Sequence, residues 1–306
     1  MKKINNRKIL FYCLLTGAIT ILFSACKEDM DAVLPVGGNI AYVNFVNAAE
    51  VFLYGQKDTL QWYNNLYIND SINNPPFDNY NGNANYPFEF STEAKLAIRQ
   101  CPGSFTANPY VTGGGNADVY WLPLEGGDYH FIYTSKNKTY LYTAEENLKK
   151  DTYQVLYLVE SPETDSSYTV VNVPVEHKER VEGRVMVQLV NLSPDAGEVE
   201  VYRVDANGNE MVTATTNALT FGQYASAEFS TEGTKDSYNS ILLRFRTPGG
   251  SDRQSIAVPS NSGAVYTVLL RGFTQQTERR VKKDNQTMAS VTVLPDLRCS
   301  IRRVFY

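Results

Sequence analysis

Between residues 40 and 173 short apolar and aromatic runs alternate with clusters of Gly, Asn, Asp and Pro. Residues 40–47, Ile-Ala-Tyr-Val-Asn-Phe-Val-Asn, carry apolar side chains on both faces of an extended chain. Residues 50–54 read as a second strand. Runs of the same kind follow at 118–122, 129–134, 138–143, 153–159 and 168–173. Short β-branched and aromatic stretches bounded by turn residues predict a sandwich or a barrel. Only residues 144–150 carry a helical pattern, about two turns long.

The pattern then restarts. Residues 185–191 align with the first strand, Asn191 against Asn47, and residues 198–202 align with 50–54, ending on Tyr in both. Phe90-Ser91-Thr92-Glu93 recurs as Phe229-Ser230-Thr231-Glu232, ahead of apolar runs at 96–99 and 241–246. Each half closes on a Val-rich run and a proline, Val159 with Pro162 and Val293 with Pro295. Four matches in one order predict a duplication: an all-β chain of two tandem β-sandwich (Ig-like) domains, 37–180 and 181–306. A single barrel of the whole length is the alternative that length alone allows. The charged stretch Glu176-His177-Lys178-Glu179-Arg180 makes a hinge between the copies.

The second copy contains Ser193-Pro194-Asp195-Ala196-Gly197 between an apolar strand and Glu198-Val199-Glu200-Val201-Tyr202. With the late run Tyr266-Thr267-Val268-Leu269-Leu270-Arg271-Gly272, this resembles the bacterial family called domain of unknown function 4397 over roughly residues 183–295. The resemblance implies a β-sandwich and a cell-envelope location, and implies no catalytic residue. In the first copy Asn47-Ala48-Ala49 stands where that turn would be, so membership there rests on the repeat. The turn has its own logic: Pro194 fixes φ, Asp195 bonds backbone amides and Gly197 accepts a left-handed conformation.

The beginning of the chain is of another kind. Lys2, Lys3, Arg7 and Lys8 precede a 17-residue apolar run, 9–25, that is short for a bilayer span and ends in small residues. Leu22-Phe23-Ser24-Ala25-Cys26 resembles the lipobox of bacterial lipoproteins, with Phe23 where the family has Leu. The resemblance implies a signal peptide, 1–25, cleaved before a lipidated Cys26, and a tether, 26–36. Lys27-Glu28-Asp29 resembles the export signal of Bacteroidetes surface lipoproteins. It implies an outer-membrane, lipid-anchored protein facing the cell exterior. Removing 1–25 leaves 24 basic residues against 33 acidic ones.

Composition changes little in this picture. The 306 residues, 43% hydrophobic, 12% aromatic and 20% charged, are globular rather than disordered, and a net charge of −5 argues against a nucleic-acid partner. The chemistry is sparse. His130 lies in a strand pattern and His177 in the hinge, with no His-Glu-x-x-His and no Gly-x-Ser-x-Gly. Gly113-Gly114-Gly115 lacks a following Gly-Lys-Ser/Thr, and the acidic clusters lack calcium-loop spacing. A glycosidase pair needs only spatial proximity and leaves no spacing signature. The basic groups near 279–283 and 302–303 read as solvated positions. No catalytic residue, metal or cofactor is therefore expected.

Cys101 and Cys299 remain in the mature chain, one in each copy, in an oxidising compartment. A bridge between them would fix the two modules, and two buried thiols are the alternative. Fifteen of the 21 tyrosines fall in 37–180, and one insertion absent from the second copy is rich in aromatics and Asn. It carries Trp62, Tyr63 and Tyr80, flat rings beside amides and carboxylates, as a sugar face requires. Core packing and turn chemistry would explain the same residues. Asp70-Ser71-Ile72 in that insertion also resembles the Bacteroidetes O-glycosylation motif.

The sequence thus points to a non-enzymatic binding or adhesion module with a glycan or protein ligand, with a structural envelope component as the alternative and an unrecognised hydrolase behind it. Mass spectrometry of the mature N-terminus should find an acylated Cys26, and Cys26→Ala should release the protein from the membrane. An unmodified N-terminus at another position would contradict this.

Overall fold

The computed structural model describes residues 39–54, 64–68, 88–90, 121–135, 139–176, 181–205, 207–231, 240–247, 249, 253–284 and 286–305. In the first half the strands are β1 (Ile40–Asn47), β2 (Asn64–Ile68), β3 (Phe88–Phe90), β4 (Leu122–Glu125), β5 (Gly127–Ser135), β6 (Tyr140–Leu148), β7 (Tyr153–Glu160) and β8 (Tyr168–Val175). One helical turn, α1 (Val51–Tyr54), follows β1. In the second half they are β9 (Arg184–Asn191), β10 (Glu200–Arg203), β11 (Tyr224–Ser230), β12 (Ser240–Arg246) and β13 (Arg253–Pro259). β14 (Val265–Arg271), β15 (Thr277–Lys282), β16 (Met288–Val293) and β17 (Arg298–Phe305) complete it.

The strands make four layers. An outer sheet β3-β2-β5-β6 packs on an inner sheet β4-β1-β7-β8 around Phe45, Leu66, Phe131, Leu156 and Leu158. A second inner sheet, β11-β9-β14-β17, packs on an outer sheet β10-β12-β13 around Leu189, Val201, Leu243, Phe245 and Val268. The two inner sheets meet face to face through Val46, Val155, Tyr157 and Val173 on one side and Val190, Leu192, Val265 and Leu269 on the other. This explains the pattern of the central strands. β7 is buried from Gln154 to Glu160 and β14 along its whole length, because both faces are covered. β12 shows the contrasting alternation, with Ile241, Leu243 and Phe245 inward and Leu242, Arg244 and Arg246 partly exposed.

The repeat is visible in the inner sheets. β1 runs parallel to β7 and β9 parallel to β14, with Asn47 opposite Leu158 and Asn191 opposite Leu270. Both asparagines end their strand alike: Asn47 Oδ1 accepts Ala49 N–H at 2.8 Å, and Asn191 Oδ1 accepts Ser193 N–H at 3.0 Å. Gly197 takes the left-handed conformation at φ 70°. Asp195 does accept amides, but those of Thr274 and Gln275, so it pins the loop after β14.

Three local expectations change. Residues 50–54 form a helical turn rather than a strand, because Glu160 Oε1 accepts the Val51 amide at 2.8 Å while Val51 and Phe52 enter the core. Residues 144–148 belong to β6, not to a helix. Ala144 and Leu148 are four apart, and an even spacing puts them on one face of a strand as readily as on one face of a helix. The Phe-Ser-Thr-Glu phrase does not mark equivalent strands. Phe90 ends β3 in an outer sheet, and Phe229 lies in β11 of an inner one. Residues 96–99 lie outside the described residues.

Each half owns a pair of sheets, yet Asn39–Tyr306 form one compact unit. The β15–β16 hairpin leaves the second half and places Phe273, Val281, Val291 and Val293 in the first core. Its departure point is tight: at Gly272, φ +92°, an added Cβ would stand 2.0 Å from the Asp296 carbonyl oxygen. Gly272→Ala should therefore lose on the order of 3 kcal/mol of stability, read as a lower urea midpoint, and an unchanged midpoint would contradict this packing.

Candidate functional site

The sequence-derived candidates fall unevenly on this frame. Cys26, Lys27, Glu28, Asp29, Trp62, Tyr63, Tyr80, Cys101 and His177 lie outside the described residues. Cys299 is a free, half-buried thiol on β17, packed against the second core, and burial pushes its thiol well above the ordinary range. His130 sits on β5 with its Nδ1 3.4 Å from Glu145 Oε1 across β6, an exposed pair. Among the described residues no three His, Cys, Asp or Glu side chains stand together as metal ligands would. The insertion bearing the aromatic candidates is partly strand: β2 begins directly after Tyr63 and sends Leu66 into the core. Tyr80 falls between β2 and β3.

The densest chemistry is elsewhere, where the two halves join. Glu50 follows β1 and is 1% exposed. Its Oε1 accepts Arg271 Nε at 2.7 Å, from the end of β14. Its Oε2 accepts Arg298 Nη2 at 2.6 Å, from the start of β17. Arg298 also pairs with Asp296. One carboxylate of the first sandwich thus holds two guanidinium groups of the second, and charge-assisted bonds of this kind are short and strong.

Around this pair the β15–β16 hairpin is fastened by further cations. Arg279 is buried and donates to the Ser167 carbonyl at 3.1 Å and the Ser161 carbonyl at 3.4 Å, with its guanidinium 5.9 Å from the Phe273 ring centre. Arg280 grips Asp165 through two bonds of 2.9 Å and holds that carboxyl below its usual range. Between the inner sheets Arg302 Nη1 donates to Asn44 Oδ1 at 2.7 Å, and Gln188 Nε2 to the Pro174 carbonyl at 2.6 Å.

Glu160 completes the junction. It ends β7, is 2% exposed and holds the Val51 amide. Burial, and then the neighbouring Glu50 charge, push its carboxyl up to about 7, against the lowering pull of the Val51 amide and Arg279. The Tyr168 hydroxyl is buried without a hydrogen-bond partner, and burial together with Glu160 raises its phenol. The sequence signal for this cluster was a charged residue closing a continuous apolar run, as in Val-Leu-Tyr-Leu-Val-Glu160 and Val-Leu-Leu-Arg271. A run buried on both faces leaves such a residue no route to water.

Two other groupings lie nearer the surface. On the outer face of β10 and β12, Arg246 covers the Tyr202 ring at 4.4 Å and bonds Glu200, Glu210 and the Tyr202 hydroxyl. At the rim where the inner sheets meet, Trp121 stacks on Phe305 at 5.4 Å and Tyr42 on Tyr153 at 4.6 Å.

No family model matches the chain, and no curated protein matches it. Among solved structures it is similar to one described as alpha-glucan binding by a streptococcal virulence factor, at 11% identity and a TM-score of 0.21, over 84% of this chain and 97% of that one. It is also similar to CBMbc (family CBM26) from Eubacterium rectale Amy13K in complex with maltoheptaose, at 13% identity and a TM-score of 0.20, over 84% and 98%. TM-scores near 0.2 mean that the chains do not superpose as wholes, so these likenesses carry no inference about a ligand.

Removing one partner of a buried ion pair strands the others in a water-free site. Glu50→Ala should lose about 3–5 kcal/mol, measured by urea unfolding, because buried Arg271 loses the carboxylate it bonds and Arg298 keeps only Asp296 of its two acidic partners. A loss under about 1 kcal/mol, the worth of an exposed pair, would show that the junction does not bear on stability.

Proposed function

We propose that the chain is a lipid-anchored, non-enzymatic binding or adhesion module, held at Cys26 and displayed on the outer face of an outer membrane by the Lys27-Glu28-Asp29 signal. Its kinship with domain of unknown function 4397 belongs to the same proposal and rests on the residues around the Ser193–Gly197 turn. The ligand is a glycan met by Trp62, Tyr63 and Tyr80.

The observation that carries this reading is the layer from which the aromatic insertion springs. β2 and β3, which flank residues 69–87, belong to the outer sheet of the first sandwich, the layer furthest from the second sandwich. In the chain Trp62 and Tyr63 directly precede β2 and Tyr80 falls between β2 and β3, and rings beside amides suit a pyranose face. The buried charges support the non-enzymatic part: Glu50, Arg271 and Arg279 are engaged in holding the two halves together.

A glycan array probed with the soluble chain from residue 37 onward, beside a Trp62→Ala/Tyr80→Ala variant, tests the site. Binding by the parent and its loss in the variant is the expected result. Equal binding by the variant would remove these residues as the site, and no binding by either would leave a protein ligand or a structural role.

A further inference from the structure

Glu50 and Glu160 stand at the same end of the first sandwich, because β1 and β7 are parallel neighbours. The two carboxylates are held differently. Glu50 accepts two guanidinium groups. Glu160 is bonded by backbone amides, those of Val51 and of Glu160 itself. The cation nearest to it in effect, Arg279 of β15, donates to the carbonyls of Ser161 and Ser167 instead. The remaining described groups that face Glu160 are Tyr168 of β8, whose hydroxyl has no partner, and Glu50, immediately before α1. Behind Glu50 stand Arg271 and Arg298, and Asp165 and Arg280 close the hairpin side at the surface.

With Glu160 neutral, the junction contains one buried carboxylate and it is fully paired. With Glu160 ionised, a second negative charge sits beside the first, out of water and bonded only by amides, which is costly in a low-dielectric site. The β15–β16 hairpin, which carries Arg279 and the core residues Val281, Val291 and Val293, is what closes the first core over this end.

We propose that Glu160 is a proton-operated latch for the β15–β16 hairpin: with its carboxyl protonated the hairpin stays seated on the first sandwich, and loss of that proton favours its release. Opening lets water reach Glu160, so the open form binds the proton less tightly than the closed one. The sign follows from linkage. The closed form keeps the proton up to about pH 7 and the open form only in the ordinary carboxylate range. The seated state is therefore favoured in mild acid. Opening grows by at most about tenfold per pH unit as pH rises toward 7, and levels off above it.

The test is amide hydrogen exchange of the full chain between pH 5 and 8.5, with rates corrected for the chemical pH dependence of exchange. The latch requires that opening of residues 277–293 rise with pH and level off near neutrality, that β12 and β13 show no such rise, and that Glu160→Gln remove the slope. A pH-independent opening, a slope shared by all strands, or an unchanged slope in Glu160→Gln would overturn it. Should that variant fail to fold, carbon NMR of the Glu160 carboxyl in the unaltered protein decides: a midpoint near neutrality sustains the latch, and one in the ordinary carboxylate range overturns it.

Discussion

The Glu50 carboxylate is the constraint on which the rest of the arrangement depends. It is drawn out of water at the end of β1, and such a charge persists only where cations and hydrogen bonds replace its hydration. Both cations come from the other half of the chain, Arg271 from β14 and Arg298 from β17. Neither half can therefore bury its own charges well without the other. The relative placement of the two sandwiches is set by directional bonds as well as by the apolar contact between the inner sheets. Directional bonds specify one orientation where valine-on-valine contact alone would admit several.

The hairpin follows from the same joint. The segments on either side of it, ending at Arg271 and beginning at Arg298, are fastened to Glu50, so β15 and β16 are delivered to the open end of the first core and fill it with Val281, Val291 and Val293. Arg279 and Arg280 then bind the loop that joins β7 to β8. The duplication survives in the sheets, while this hairpin gives the two copies different roles, one completed and one completing. A body so fastened presents its two outer sheets as fixed surfaces.

The strand content was legible because the central strands are buried on both faces, and their sequences say so in nearly continuous apolar stretches such as 155–159 and 268–270. The match of Asn47 with Asn191 was informative because both perform the same backbone bond. What could not be read depends on contacts distant in sequence. The turn at Val51–Tyr54 exists because Glu160, 109 residues away, caps its first amide. The pairing of Glu50 with residues 221 and 248 positions later leaves no local trace. Residues 144–148 were ambiguous in principle, since a four-residue apolar spacing serves both periods. Of the candidate site only Cys299 among the two cysteines falls within the described residues, and it is a free thiol in the second core's surroundings. The aromatic candidates Trp62, Tyr63 and Tyr80 lie outside the described residues.

The central claim is that residues 39–306 behave as one cooperative unit despite being two sandwiches in outline. Urea unfolding followed by two probes tests it most directly. Both tryptophans, Trp62 and Trp121, lie in the first half, with Trp121 also stacked on Phe305 of the second, so their fluorescence reports the first half and the joint, and hydrogen-exchange labelling of β9 to β13 reports the second half. A joint held by Glu50 and the shared hairpin predicts coincident transitions with one midpoint. Two separated transitions, with the second half remaining protected after the tryptophan signal has changed, would contradict it.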